Sequence, residues 1–145
     1  MPLDPVLAKT PPEMRNQEEL ALSKDMHGRD LHGYEFVKVD LRGVDLSESD
    51  LTGAVFNNSR LSGADLSGSN MEDVVAFASI FEGADLRDAN LTNALLMESS
   101  FDNAQIEGAD FSNAVINRIQ QKQLCEIAKG TNLSTGEDTS YSLGC

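Results

Sequence analysis

The chain has 145 residues, 40% of them apolar, which suffices for one domain with a modest core. Its 24 acids against 11 bases give a net charge of -13, so binding to a nucleic-acid phosphate backbone is disfavoured: nothing neutralises that charge. No apolar run reaches the length of about 18 residues that a membrane helix needs, and residues 1–28 lack both a signal peptide's apolar stretch and a transit peptide's Arg-rich composition, so this form reads as never exported or already mature.

Residues 1–28 form an N-terminal segment. After Pro11 and Pro12, acids near the start and a proline in the first turn predict a capping helix over about 12–24. Its apolar set, Met14, Leu20, Ala21 and Leu22, is thin, so the helix needs a surface to lie on. Leu3, Val6 and Leu7 precede it in an extended, proline-punctuated stretch.

From residue 29 to 118 a bulky apolar residue returns every fifth position. The centres are Leu31, Phe36, Leu41, Leu46, Leu51, Phe56, Leu61, Leu66, Met71, Ala76, Phe81, Leu86, Leu91, Leu96, Phe101, Ile106, Phe111 and Ile116, and only Ala76 is small. A period of five matches neither helix nor strand and predicts a solenoid. Two places before each centre the residue is small, usually Ala, Ser or Val, except Arg29 and Tyr34. Asp or Asn often precedes the centre, and Gly stands two places after it at seven positions, as tight turns require.

This pattern, as in GADLSGSN and GADLRDANLTNALL, resembles the pentapeptide-repeat family. The resemblance implies an all-β solenoid: a right-handed quadrilateral β-helix with four pentads per coil, about 4.5 coils, and short capping helices at both ends. At ~4.8 Å per coil the column would be roughly 22 Å tall.

Stacking residues twenty apart defines four faces. Face one carries Leu31, Leu51, Met71, Leu91 and Phe111; face two Phe36, Phe56, Ala76, Leu96 and Ile116; face three Leu41, Leu61, Phe81 and Phe101; face four Leu46, Leu66, Leu86 and Ile106. Phe36 is expected on Phe56 and Phe81 on Phe101, with a void or backbone shift at Ala76. Outside face two, Val55, Val75, Leu95 and Val115 precede the centres and Val37, Phe77 and Met97 follow them; elsewhere only Ile80 is comparable. Such a stripe is either covered by residues 1–28 or is a binding site for a protein partner.

Acidic ladders run on other faces: Asp30, Asp50 and Asp110 with Asn70 and Asn90 on face one, and Asp45, Asp65 and Asp85 on face four. Like charges ~4.8 Å apart repel by about 1 kcal/mol even in water, so local hydrogen bonds must offset this. Solvated turn residues account for these ladders; the sharper alternative is mimicry of nucleic acid, interrupted by Arg60 and Arg87.

Residues 119–145 form the C-terminal cap. IQQKQLCEIAKG predicts a helix with Leu124, Ile127 and Ala128 toward the last coil and Gly130 as its stop, burying an edge that would otherwise aggregate. With no metal-like partner nearby, Cys125 and Cys145 read as a disulfide, the alternative being two free thiols in a reducing compartment. The tail LCEIAKGTNLSTGEDTSYSLGC is similar to the cap of thylakoid-lumen pentapeptide-repeat proteins, which implies an oxidised chloroplast lumenal protein without its presequence.

His27 and His32 lie near Asp25 and Asp30, where ordinary surface outweighs a weak metal site. No nucleophile has a recognisable base, and no Walker or GxGxxG loop exists. The expectation is a non-enzymatic scaffold, monomeric and without cofactor or metal, acting by protein contact. A DNA-mimicking topoisomerase inhibitor and a redox-responsive protein switched through Cys125 and Cys145 are the alternatives.

Overall fold

The five-residue period becomes a turn every five residues and a stack every twenty. In the computed structural model, which describes residues 24–145, parallel bridges join residues twenty apart, from Asp25 with Asp45 to Leu95 with Val115. Four pentads therefore make one coil. The Leu31 N–H donates to the Asp50 carbonyl at 2.8 Å and the Asp50 N–H returns to the Arg29 carbonyl at 2.9 Å; Phe36, Val55 and Tyr34 repeat the pair at 2.7 and 2.9 Å. Only one residue per pentad bridges, because the chain turns again at once, so the sides consist of isolated bridges rather than longer strands.

The turn explains the sequence frame. Two places after each centre, from Gly28 to Asn113, φ is positive, and the Tyr34 N–H bonding back to the Leu31 carbonyl at 3.1 Å closes one such turn. A β-turn with positive φ at its third residue favours Gly or Asn there. Eight of these eighteen positions are Gly, and ten carry side chains, including four Asn and, at φ 55, Ala78. The frame imposes a left-handed conformation even where the residue does not favour it.

Centres and small residues fill the interior. Leu31, Phe36, Leu41, Leu46 and Leu51 are fully buried, as are Ala54, Ala64 and Ala84. Tyr34, oversized for its place, is still 93% buried and tilts against Phe36 with ring centroids 6.2 Å apart. The expected ring stacks form: Phe36 on Phe56 at 5.0 Å and 8°, Phe81 on Phe101 at 4.9 Å and 4°. At Ala76 the backbone does not shift, for the Ala76 N–H still donates to the Leu95 carbonyl at 2.7 Å. Ala76 is fully buried, between the centres Met71 and Phe81 of the same coil.

Three sequence expectations need correction. The column reaches one pentad further toward the N-terminus than residue 29: Met26 is fully buried, and its N–H donates to the Asp45 carbonyl at 2.8 Å. The predicted capping helix over about 12–24 lies, but for Lys24, outside the described residues. Ile116, read as a core centre, is only half-buried, because the next coil does not follow above it.

The third concerns the cap. Helix α1, Arg118–Ile127, begins at Asn117, whose side chain accepts from the N–H groups of Ile119 and Gln120, and stops at Ile127 rather than at Gly130. Ala128 is already extended. Gly130 instead makes a close approach at φ +85: an added Cβ would stand 3.1 Å from Gly108 N. Leu124 joins the core while Ile127 is 50% exposed. Helix α2, Thr139–Ser142, is capped by Asp138.

The cap also satisfies the open edge. Gln120 Oε1 accepts from the Phe101 N–H at 3.2 Å, the Lys129 carbonyl from the Gly108 N–H at 2.9 Å, and Ser142 Oγ from the Phe111 N–H at 2.9 Å. Buried Asn132 donates to the carbonyls of Ala89 and Gly108 at 3.1 and 2.9 Å. These groups supply what a further coil would have supplied, which removes a template for edge pairing.

Candidate interaction surface

Outside face two the bridge ladder carries apolar residues in line: Val55 with Val75, Val75 with Leu95, Leu95 with Val115. Val37, Val55 and Val75 are half-buried, whereas Phe77, Leu95, Met97 and Val115 are exposed. Exposure therefore grows toward the C-terminal coils. Ile80, bridged to Arg60 and Ser100 on face three, continues the patch around the corner and is 40% exposed.

Ile119, in the first turn of α1 and four residues beyond Val115, is 67% exposed. The five-residue frame ends before it: twenty residues earlier stands Ser99, a buried interior position, and the helix breaks that register.

A serine ladder holds that corner rigid. Ser59 Oγ donates to the Phe36 carbonyl at 2.5 Å and accepts from the Val39 N–H at 3.1 Å; Ser79 does the same for Phe56 and Ser59, and Ser99 for Ala76 and Ser79. Each hydroxyl ties two coils together. The exposed side chains above are thus presented on a fixed backbone.

The acidic ladders are satisfied locally, as the repulsion argument requires. Asp45 accepts from the Ser47 N–H and hydroxyl at 2.9 and 2.5 Å, Asp50 from Thr52 at 3.0 and 2.6 Å, and Asp65 from Ser67 at 3.0 and 2.6 Å. Asp85 takes the Arg87 guanidinium, and Asp40 the Arg42 guanidinium. Bonds from Ser47 hold Asp45 below the ordinary carboxylate range, the Arg87 guanidinium does the same for Asp85, and the Arg42 guanidinium lowers Asp40 to about 2. Burial pushes Asp110 up, but hydroxyls of Ser112, Thr135 and Thr92 outweigh it and leave it lowered. Asp30 remains at the foot of the face-one ladder, in contact with His32.

Charge is uneven along the column. Residues 24–60 hold seven acids and five bases; residues 61–117 hold ten acids and one base, Arg87.

The histidines face solvent. His27 Nδ1 lies 2.8 Å from Ser47 Oγ, and His32 Nδ1 lies 2.5 Å from Asp30 Oδ1, a contact that lowers the carboxyl and raises the imidazole. Ligand atoms of Asp30, His32 and Asp50 come within 4.8 Å of one another, all on exposed residues.

At the other end Cys125 and Cys145 are joined by a disulfide, with Cα atoms 5.7 Å apart. The C-terminal residue is thereby fixed to α1, and the Gln121 side chain donates to the Leu143 carbonyl at 2.7 Å beside it.

A family model for pentapeptide repeats matches eight copies over residues 35–73 and 79–118, more than half of the chain. The chain belongs to the pentapeptide-repeat family. Among solved structures, a pentapeptide-repeat protein from the Arabidopsis thaliana thylakoid lumen is 30% identical, with 83% of this chain and 88% of that one covered at TM-score 0.60. A pentapeptide-repeat protein of Nostoc PCC 7120 is 26% identical, with 66% and 80% covered at TM-score 0.58. Rfr23, from the cyanobacterium Cyanothece 51142, is 24% identical, with 68% and 84% covered at TM-score 0.54, a likeness of fold. No curated protein sequence matches this pentapeptide-repeat chain. Among the described residues no helix is long and apolar enough to cross a membrane.

Proposed function

We propose that this chain is a non-enzymatic scaffold of the chloroplast thylakoid lumen, a right-handed quadrilateral β-helix that acts by protein contact. The likeness to the Arabidopsis lumenal protein carries this reading, because at 83% of the chain it extends well beyond the 79 residues that the repeat model spans. The disulfide at the cap supports an oxidising compartment. Hydroxyls and carboxylates of the column are engaged in holding turns, which leaves the surface, rather than a reacting group, as the functional element.

Fractionation of intact thylakoids tests it. The protein is expected in the lumenal fraction with no alkylatable thiol before reduction; recovery in the stroma, or two free thiols in protein isolated without reductant, would sink the lumenal scaffold.

The disulfide favours one further reading, a redox-responsive module. A dithiol reductant would give up two electrons and two protons, becoming a disulfide while Cys125 and Cys145 become thiols and the tail is released. If reduction changes neither melting temperature nor oligomeric size, that reading fails.

A further inference from the structure

The exposed part of face two has the size and setting of a receptor for one helix. From the rung of Phe77 to that of Val115 the ladder rises two steps, about 10 Å at the strand spacing, which is the length of roughly six or seven helical residues. Side chains three and four apart on a helix stand about 5–6 Å from one another, close to the rise between successive rungs. Two exposed acids flank the patch at its rim, Asp73 before Val75 and Glu98 after Met97, both fixed in the left-handed turn position, and exposed Arg118 follows Glu98 by twenty residues, so the local excess is one negative charge on a column that is itself strongly acidic. The one base between residues 61 and 117, Arg87, is paired with Asp85 on face four.

Charge separates the possible occupants. A second copy would bring another molecule of net charge -13 against that rim, and five or six side chains fall short of the ~800 Å² per partner of a stable dimer. Residues 1–23 have the length to reach the patch, since extended chain covers about 3.3 Å per residue. They carry four acids and two bases, however, so they too add negative charge. A helix with an apolar stripe flanked by bases complements both the ridge and its rim.

We infer, building on the scaffold reading, that the upper part of face two, Phe77, Leu95, Met97 and Val115, receives a basic amphipathic helix of a partner protein. Leu95 and Phe77 supply the apolar contact. Asp73 and Glu98 select for Lys or Arg beside the stripe.

The test uses the full chain and a synthetic Leu/Lys amphipathic helix of about 15 residues, read by fluorescence anisotropy against a scrambled peptide of the same composition. Phe77→Asp with Leu95→Asp is expected to weaken binding about tenfold or more, although it adds charge that attracts the peptide; a loss therefore reports apolar contact. Asp73→Lys with Glu98→Lys, on exposed turns, is expected to weaken binding several-fold with an unchanged circular dichroism spectrum. The scrambled peptide should bind about tenfold more weakly. Equal binding by the scrambled peptide, or equal binding by the double-Asp variant, overturns the inference. So does absence of binding to the wild-type chain; if Leu20→Asp with Leu22→Asp then restores it, the occupant is the N-terminal segment. Lumenal fractionation is independent of these outcomes, so the scaffold's location and its docking face can fail separately.

Discussion

Residues 24–60 and residues 61–117 are built on the same ladder, yet they present different surfaces. Near the N-terminal end, acids and bases nearly balance, Asp40 is paired with Arg42, and Val37 and Val55 are half-buried. Toward the cap the balance becomes ten acids to one base, and Phe77, Ile80, Leu95, Met97 and Val115 stand exposed. A repeat fixes backbone and interior but leaves the outward positions free. Local difference on a regular column is where recognition can be written.

The comparison breaks first if the halves do not unfold together. Phe36→Ala and Phe101→Ala each remove a ring from a stacked, buried pair, and each should cost about 3–5 kcal/mol and move a single calorimetric transition. Two transitions in the Phe101→Ala protein would mean that the upper coils fold apart from the lower ones.

Loss of the disulfide should be next in size. Cys125→Ser is expected to remove roughly 3 kcal/mol on the chain-entropy model. Hydrogen exchange should rise more at the Gly108 and Phe111 amides, which the cap receives, than at Leu31 or Phe36. Even acceleration through the column would show that the bond does not act through the upper edge.

Ala78, at φ 55, is a smaller probe of the backbone that both halves share. Relief of left-handed strain, partly offset by the freer unfolded chain, should make Ala78→Gly more stable by about 0.5–1 kcal/mol. No gain in denaturation midpoint would mean that the turn tolerates alanine without cost.

The smallest expected effect is the response to acid. Asp40, Asp45, Asp85 and Asp110 are lowered in the folded chain, so their contribution is complete above the unfolded carboxylate range near 4. It is lost as pH falls through the folded values, about 2 for Asp40. Asp40→Asn should flatten the decline in melting temperature below pH 4 only slightly, because the Asp40 and Arg42 side chains are about half exposed. A large change would show a stronger ion pair than its exposure allows.

Much of the architecture was legible because one spacing encodes it. The centres, the small residues beside them, the two phenylalanine stacks and the face-two ladder all follow from counting fives and twenties. What escaped lies where the count stops. Met26 sits one pentad before the first obvious leucine, and α1 ends at Ile127 because Gly130 is used to approach Gly108 rather than to close a helix. The left-handed turn positions were visible only where Gly occupied them; at Lys38, Glu48 or Ala78 the ladder imposes the conformation. Ile119 lies past the last pentad, in α1, where the count of fives no longer assigns a residue to a face. Pairing of Cys125 with Cys145 was readable because the chain has no other cysteine.

Amide chemical-shift mapping of the full chain during titration with the basic amphipathic peptide bears most directly on the difference between the halves. Perturbations are predicted to concentrate at residues 75–80, 95–98 and 115–119, with residues 25–50 little changed. Shifts spread evenly along faces one and four, following the acidic ladders instead of the apolar ridge, would contradict it.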